Sequence, residues 1–224
     1  MARLFIVRHG QASFGEANYD RLSPLGRQQA RWLGEYFAER GLTFSSVVAG
    51  ELSRQQDTAS EILDAMGHSG VAVAADRGLD EYDGQAVYGA YTGNQDQHLH
   101  QKADYKGYWR TFRAGYEAWI DGKLVDIEES WDDFCARIRR ALAQACEGQG
   151  RDDAVLVATS GGVIGSVISE LLNCEPHTAV ELNFQVRNTA FCEIIVGSNT
   201  RRLVSYNSIP HLDRPGRREA ITYV

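Results

Sequence analysis

Arg8, His9 and Gly10 follow the apolar run Leu4-Phe5-Ile6-Val7, and their side chains are of the kind that move phosphoryl groups. A neutral imidazole attacks phosphorus well, and a neighbouring guanidinium clamps the equatorial oxygens over which charge spreads. Leu4 to Val7 reads as a strand buried on both sides, and in open α/β sheets ligands bind at the carboxyl edge where this tripeptide would stand. Taken alone, Arg-His-Gly is a weak signal, and a satisfied strand-end histidine is the commoner fate of such a residue.

Two further groups fall at corresponding strand ends. Arg54 opens a helix after Ala49-Gly50-Glu51-Leu52-Ser53, where it can reach the same edge beside a helix N-terminus that itself favours anions. Surface exposure is the ordinary alternative for an arginine. Glu81, after Leu79-Asp80, is placed either to hand a proton to a leaving oxygen or to sit in a solvated acidic turn.

Such residues meet only if the chain builds a sheet with helices on both faces, and the pattern of β-rich runs alternating with helical periods reads that way. Strands are expected at Leu4–Val7, Ser46–Ala49, Val71–Ala75, Ala154–Thr159, Thr189–Val196 and Leu203–Tyr206. A helix from Pro24 to Arg40 has Ser23 to cap it and Gly41 to close it, with Leu25, Leu33, Tyr36 and Phe37 on its apolar face. The next has Ala59, Ile62, Leu63 and Met66 on one face before Gly67.

Helical spacing of Tyr108, Phe112, Tyr116 and Trp119, and again of Trp131, Phe134, Cys135, Ile138 and Leu142 behind a Ser130 cap, makes 83–149 a helical insertion. After Ser160-Gly161-Gly162 a helix buries Ile164, Val167, Ile168, Leu171 and Leu172. The expected fold is a three-layer α/β/α sandwich with a mostly parallel central sheet. Without repeats or linkers, residues 1–224 read as a single domain.

Composition narrows the function. Among 224 residues, 23 Lys+Arg against 30 Asp+Glu give a formal charge of −7, which speaks against a nucleic-acid or anionic-membrane partner. No stretch approaches the roughly 18 consecutive apolar residues of a membrane span. The Leu4–Val7 run is too short for a signal-peptide core, so a cytoplasmic location is expected. Cys135, Cys146, Cys174 and Cys192 are widely spaced and read as reduced, mostly buried thiols.

Taken together these segments resemble the histidine phosphatase superfamily, which holds cofactor-dependent phosphoglycerate mutases, fructose-2,6-bisphosphatase domains and broad phosphatases. Phe5 to Gly10 is similar to the signature strand and nucleophile, and Asp20 to Ala30 to the segment opening the first helix. Glu51 to Arg54 with Thr58-Ala59 is similar to the arginine junction, and Leu79 to Glu81 to the acid motif. Glu129-Ser130 with Arg137 matches the start of the late helix, and Ala154 to Gly162 the last signature strand and turn. The resemblance implies that His9 is phosphorylated, that Arg8 and Arg54 bind phosphoryl oxygens, and that Glu81 protonates the leaving group and then activates water. It implies no metal and no cofactor, and a small-molecule phosphoester as partner. Asn188, in Arg187-Asn188-Thr189, would brace the pocket.

The chain departs from that pattern at the turn after the late strand, where Ser160 stands in place of a second pocket histidine. Ser160 and the backbone of Gly161 would then form a neutral phosphoryl cradle, and restoring the imidazole by Ser160→His should raise turnover if the pocket is otherwise standard. Ala12, Gly15 and Gly84 also differ from the family's nucleophile loop and acid motif. The runner-up readings are a catalytically weak or inactive phospholigand-binding protein and a mutase-type phosphotransferase. His98 and His100 form an HxH pair with no third ligand near in sequence, His177 is isolated, and His211 has the option of folding back to restore a cation. Gly161-Gly162-x-x-Gly165 lacks the full dinucleotide pattern. Tyr88, Tyr91, Tyr105 and Tyr108 would wall the entrance or simply pack together, and the basic tail Arg214–Arg218 would be solvated or meet an acidic ligand. An apolar helix face serves a core or a homodimer equally well.

Overall fold

Alternation along the first strand sets the layers. In the computed structural model, which describes residues 1–13, 20–93, 105–198 and 200–223, strand β1 (Ala2–Arg8) sends Leu4 and Ile6 to one face and Phe5 and Val7 to the other, and all of these side chains are buried. A run that is apolar at every position therefore needs cover on both sides. On the Phe5 side lie α1 (Pro24–Glu39) and α2 (Ser53–Ala65), which bury Leu33, Phe37, Ile62 and Leu63 there. On the Leu4 side lie α4 (Tyr105–Ile120), α5 (Trp131–Ala145) and α6 (Gly161–Leu171), contributing Trp119, Phe134 and Ile164. The short helix α3 (Gly84–Thr92) precedes α4, and α7 (Thr178–Gln185) packs on α6.

The remaining strands are β2 (Ser46–Ala49), β3 (Ala74–Ala75), β4 (Ala154–Thr159), β5 (Phe191–Val196) and β6 (Arg201–Ser208), in the order β3-β2-β4-β1-β5-β6. β3, β2, β4 and β1 run parallel, and β5 and β6 add antiparallel pairs. The parallel run brings the ends of β1, β2 and β4 to one edge, with Arg8 opposite Thr159 in register. Because β5 is antiparallel to β1, its entry residues Asn188 and Thr189 reach that same edge.

Helix ends follow their sequence signals. Ser23 accepts from Gly26 N at 3.0 Å and Pro24 occupies the first turn, while Ser130 caps α5 through Asp133 N. Other expectations fail. The strand anticipated at Val71–Ala75 is only Ala74–Ala75, because it lies on the exposed edge and Gly70 and Val71 are taken up in a turn closed by Val71 N to His68 O. Leu172 is 51% exposed instead of buried, as the C-cap residue that follows the last turn of α6. Helix α7 went unforeseen because its core contribution is small, with Ala179 and Val180 buried. Cys174 is exposed, and all four cysteines are free. Among the described residues no helix is long and apolar enough to cross a membrane.

The start of α1 is pressed against the loop after β1. A Cβ on Gly26 would stand 2.1 Å from Gln11 O, and one on Gly10 2.4 Å from Gly26 O, so both glycines allow a close backbone approach. In an ordinary helix position alanine is better than glycine by about 1 kcal/mol. Here Gly26→Ala is expected to destabilise by roughly 1–3 kcal/mol through overpacking, read as a lower urea midpoint at unchanged slope.

Candidate active site

His9 leaves β1 with every backbone partner assigned: His9 N donates to Thr159 O at 2.8 Å, and Asn188 Nδ2 donates to His9 O at 3.2 Å. The side chain is 3% exposed. Its Nδ1 lies 2.7 Å from Gly10 O, a carbonyl, so Nδ1 must carry the proton. Arg54 Nε donates to His9 Nε2 at 3.2 Å, and a guanidinium N–H requires an acceptor there. The two contacts assign one neutral tautomer with the lone pair on Nε2. Burial first, then the charges of Arg54 and Arg8, hold the imidazole pKa well below its usual range, against a smaller upward pull from Gly10 O.

Arg54 is the second residue of α2, 8% exposed, and Asp20 Oδ1 accepts from its NH1 at 2.9 Å. Asp20 also takes Ser53 N on Oδ2 at 2.8 Å, so it caps a helix whose own N-cap, Leu52, has no side chain to do so. Thr58 Oγ1 receives Gly10 N at 3.0 Å and donates to Arg54 O at 2.6 Å, tying the loop after His9 to α2. Arg8 is half-buried, and its NH1 donates to Val186 O and to Tyr223 O. The guanidinium is thereby fixed from the C-terminal segment.

Glu81 follows the short 3₁₀ turn Arg77–Leu79. Gly162 N donates to its Oε2 at 3.0 Å and Tyr82 N to its Oε1 at 3.3 Å. Desolvation nevertheless raises its pKa, outweighing the downward pull of Gly162 N, of Arg54 and Arg8, and of Tyr82 N. Arg137 steadies the turn by donating to Gly78 O and Asp80 O at 3.0 and 2.7 Å while pairing with Glu129.

Ser160, between β4 and α6, is fully buried, and its hydroxyl accepts from Gln55 Nε2 at 2.8 Å. The hydroxyl thus accepts from the protein and keeps its own O–H to donate. Gly161 opens α6 against Asn183 of α7, and its backbone N–H belongs to the N-terminus of that helix. Asn188 is fully buried and is itself held by Thr222, whose N–H-accepting carbonyl and hydroxyl bind Asn188 N and Oδ1 at 2.9 and 2.8 Å.

Other candidates are displaced from the site. His211 is fully buried 2.8 Å from Thr189 Oγ1, and desolvation with Arg217 and Arg214 lowers its pKa to about 3. It therefore supplies no cation; it braces Thr189, a β-branched residue held at φ 55° next to Asn188. Arg214 pairs with Glu39, and Arg217 stacks over Trp32 at 4.4 Å, so the basic tail packs on α1. His177 pairs with Asp121 at the surface. A Cβ on Gly165 would meet Ala179 O at 2.5 Å, which makes that glycine a helix-packing residue. Tyr88 and Tyr108 stack at 5.2 Å, and Tyr91 is exposed. Gly15, His98, His100 and the Tyr105 side chain lie outside the described residues. Among those described, no group of three or more His, Cys, Asp or Glu could hold a metal ion.

Gln55 and Asn183 are contributors that sequence reasoning did not name, and Asp20 and Thr58 were named only within matched segments, without these roles. Leu52 as an apolar N-cap was a signal that some other carboxylate must cap α2, but spacing alone could not point to Asp20.

A family model described as the histidine phosphatase superfamily, branch 1, matches residues 4–209. A broad-specificity phosphatase of Saccharomyces cerevisiae is 28% identical over 187 residues, 79% of this chain and 73% of that protein. A probable phosphoglycerate mutase of an Enterobacter species is 27% identical over 202 residues, 87% of this chain and 85% of its own. The solved structure of a mutant phosphoserine phosphatase from Entamoeba histolytica, in complex with phosphoserine, superposes with a TM-score of 0.66 at 22% identity, covering 95% of this chain and 100% of that one.

Two outcomes are expected. Since the unfolded chain protonates His211 near pH 6.5 and the folded chain only near pH 3, stability is full above the former and is lost as pH falls toward the latter. Unfolding free energies from urea titrations between pH 7 and 5 should decline, by at most about 1.4 kcal/mol per pH unit for each such histidine, and His211→Phe should flatten the slope. Ser160→His should lower the unfolding free energy from urea titration by roughly 1–3 kcal/mol, because Gln55 Nε2 already stands 2.8 Å from the position 160 side chain.

Proposed function

The chain belongs to the histidine phosphatase superfamily, and on that premise we propose that it hydrolyses a small-molecule phosphomonoester through a phosphohistidine on His9, without a metal ion. The observation that carries the reading is the pair of contacts that leaves His9 neutral with its lone pair on Nε2. Such a nitrogen is a nucleophile for in-line attack, and the Nδ1 proton held by Gly10 O stays in place as positive charge develops on the ring.

In the first step the His9 Nε2 lone pair forms an N–P bond while the ester P–O bond breaks. The leaving oxygen takes the electron pair of that bond and a proton from Glu81, whose raised pKa keeps the acid form available. Arg54, released from Nε2 by the incoming phosphorus, turns its N–H groups to the equatorial oxygens together with Arg8 and the Gly161 N–H. Water then attacks phosphorus, Glu81 carboxylate accepts its proton, and the N–P bond breaks to return the pair to Nε2. The two guanidinium groups and the α6 N-terminus supply the charge neutralisation that a metal ion would otherwise provide.

The reading is tested with an activated aryl phosphate in EDTA. Turnover, with acid-labile phosphate trapped on the protein and both lost in His9→Ala by at least about 10³-fold, is the expected result. Turnover undiminished in His9→Ala would overturn it. Vanadate binding without turnover would replace it by the phospholigand-binding reading that Ser160 suggests, and transfer to a second hydroxyl in preference to water by a mutase.

A further inference from the structure

The mechanism above leaves one polar group at the strand edge without a role. Gln55 is fully buried directly after Arg54, and its Nε2 donates to Leu79 O at 3.2 Å and to Ser160 Oγ at 2.8 Å. Its Oε1 is buried with no hydrogen-bond partner among the described residues. A buried amide oxygen left unsatisfied is costly, so packing alone would be served better by an apolar side chain of the same length. The fold also makes room for this amide. A Cβ on Gly50 would stand 1.8 Å from Gln55 Oε1 and 2.6 Å from Asp80 Oδ1.

What the amide secures are the two flanks of Glu81. Leu79 O, two residues before the carboxyl, receives Gln55 Nε2 and also Thr159 Oγ1 at 2.6 Å. Ser160 lies two residues before Gly162, whose N–H holds Glu81 Oε2. One NH₂ group thus ties the turn that carries the acid to the turn that binds its carboxylate, and it does so from the helix that carries Arg54.

We propose that Gln55 is a positioning residue, setting the distance and orientation of the Glu81 carboxyl relative to His9 and Arg54. This rests on the phosphohydrolase reading, in which Glu81 protonates the leaving oxygen. A carboxyl displaced by about 1 Å loses on the order of a hundredfold in proton transfer, and the loss falls on substrates that need the proton.

Gln55→Met keeps the unbranched shape and removes both donors. Its kcat/KM, which reports transfer to His9, is compared with wild type on 4-nitrophenyl phosphate, whose leaving group departs unprotonated, and on glycerol 2-phosphate, whose alkoxide does not. The expected result is a loss of roughly ten- to a hundredfold on the alkyl ester and under about threefold on the aryl ester, in the same direction as Glu81→Gln. Equal losses on both esters, or none, overturn the positioning role while leaving the phosphohydrolase intact. Wild type inactive on both overturns the parent reading and this one with it. Should Gln55→Met fail to fold, Gln55→Glu, of the same shape and with at most one donor, carries the same comparison.

Discussion

A desolvated imidazole between cations must be kept neutral and in one tautomer, and the strand edge is built around that constraint. The Nδ1 proton needs a fixed acceptor, and the carbonyl of the next residue, Gly10 O, provides it at 2.7 Å. Each backbone polar group there is then assigned: His9 N to Thr159 O, His9 O to Asn188 Nδ2, Gly10 N to Thr58 Oγ1, and Gly10 O to the ring itself. Those partners come from β4, the β5 entrance and α2. The orientation of one ring is therefore a property of the whole sheet edge and cannot be transplanted with the tripeptide.

Placing Arg8 and Arg54 near this ring raises a second demand. Two guanidinium groups at a buried edge repel each other and would leave α2 with an uncapped, positively polarised start. Asp20 answers both at Arg54, pairing with its NH1 and accepting Ser53 N. Arg8 is treated differently, its NH1 held by the carbonyls of Val186 and Tyr223. These carbonyls orient the guanidinium, whose charge acts on both His9 and Glu81. The C-terminal segment belongs to the site through this contact, through Thr222 on Asn188 and through Ala220 O on Gln29.

Much of this was legible because it is local. The bounds of β2 and β4, the Ser23 and Ser130 caps and the faces of α1 and α5 follow from periodicity and capping, which operate within a few residues. The clustering of His9, Arg54 and Glu81 followed from their common position at strand ends in a parallel sheet. Non-local matters escaped. An edge strand of Ala74–Ala75 looks the same in sequence as a longer one, and α7 has too narrow an apolar face to stand out. His211 could be seen near a proline but not beneath Thr189, 22 positions away in the chain. Gln55, adjacent to the strongest arginine signal, reads as an ordinary helix surface residue until α2 is docked.

Ser160 shows why residue-by-residue transfer from a pattern is incomplete. Considered singly, a serine where the family resemblance leads one to expect a histidine reads as a lost cation, to be mended by replacing it. In the folded chain the serine hydroxyl is the acceptor for the Gln55 amide, and that amide also holds the backbone of the acid turn. The space and the hydrogen-bond polarity at position 160 are set by position 55, and an imidazole would meet a donor and a full cavity there. Substituted positions within a packed polar network are thus not independent, and a change at one is interpretable only with its partner. A proton-transfer group depends on how well it is placed, and the buried amide ties both flanks of Glu81.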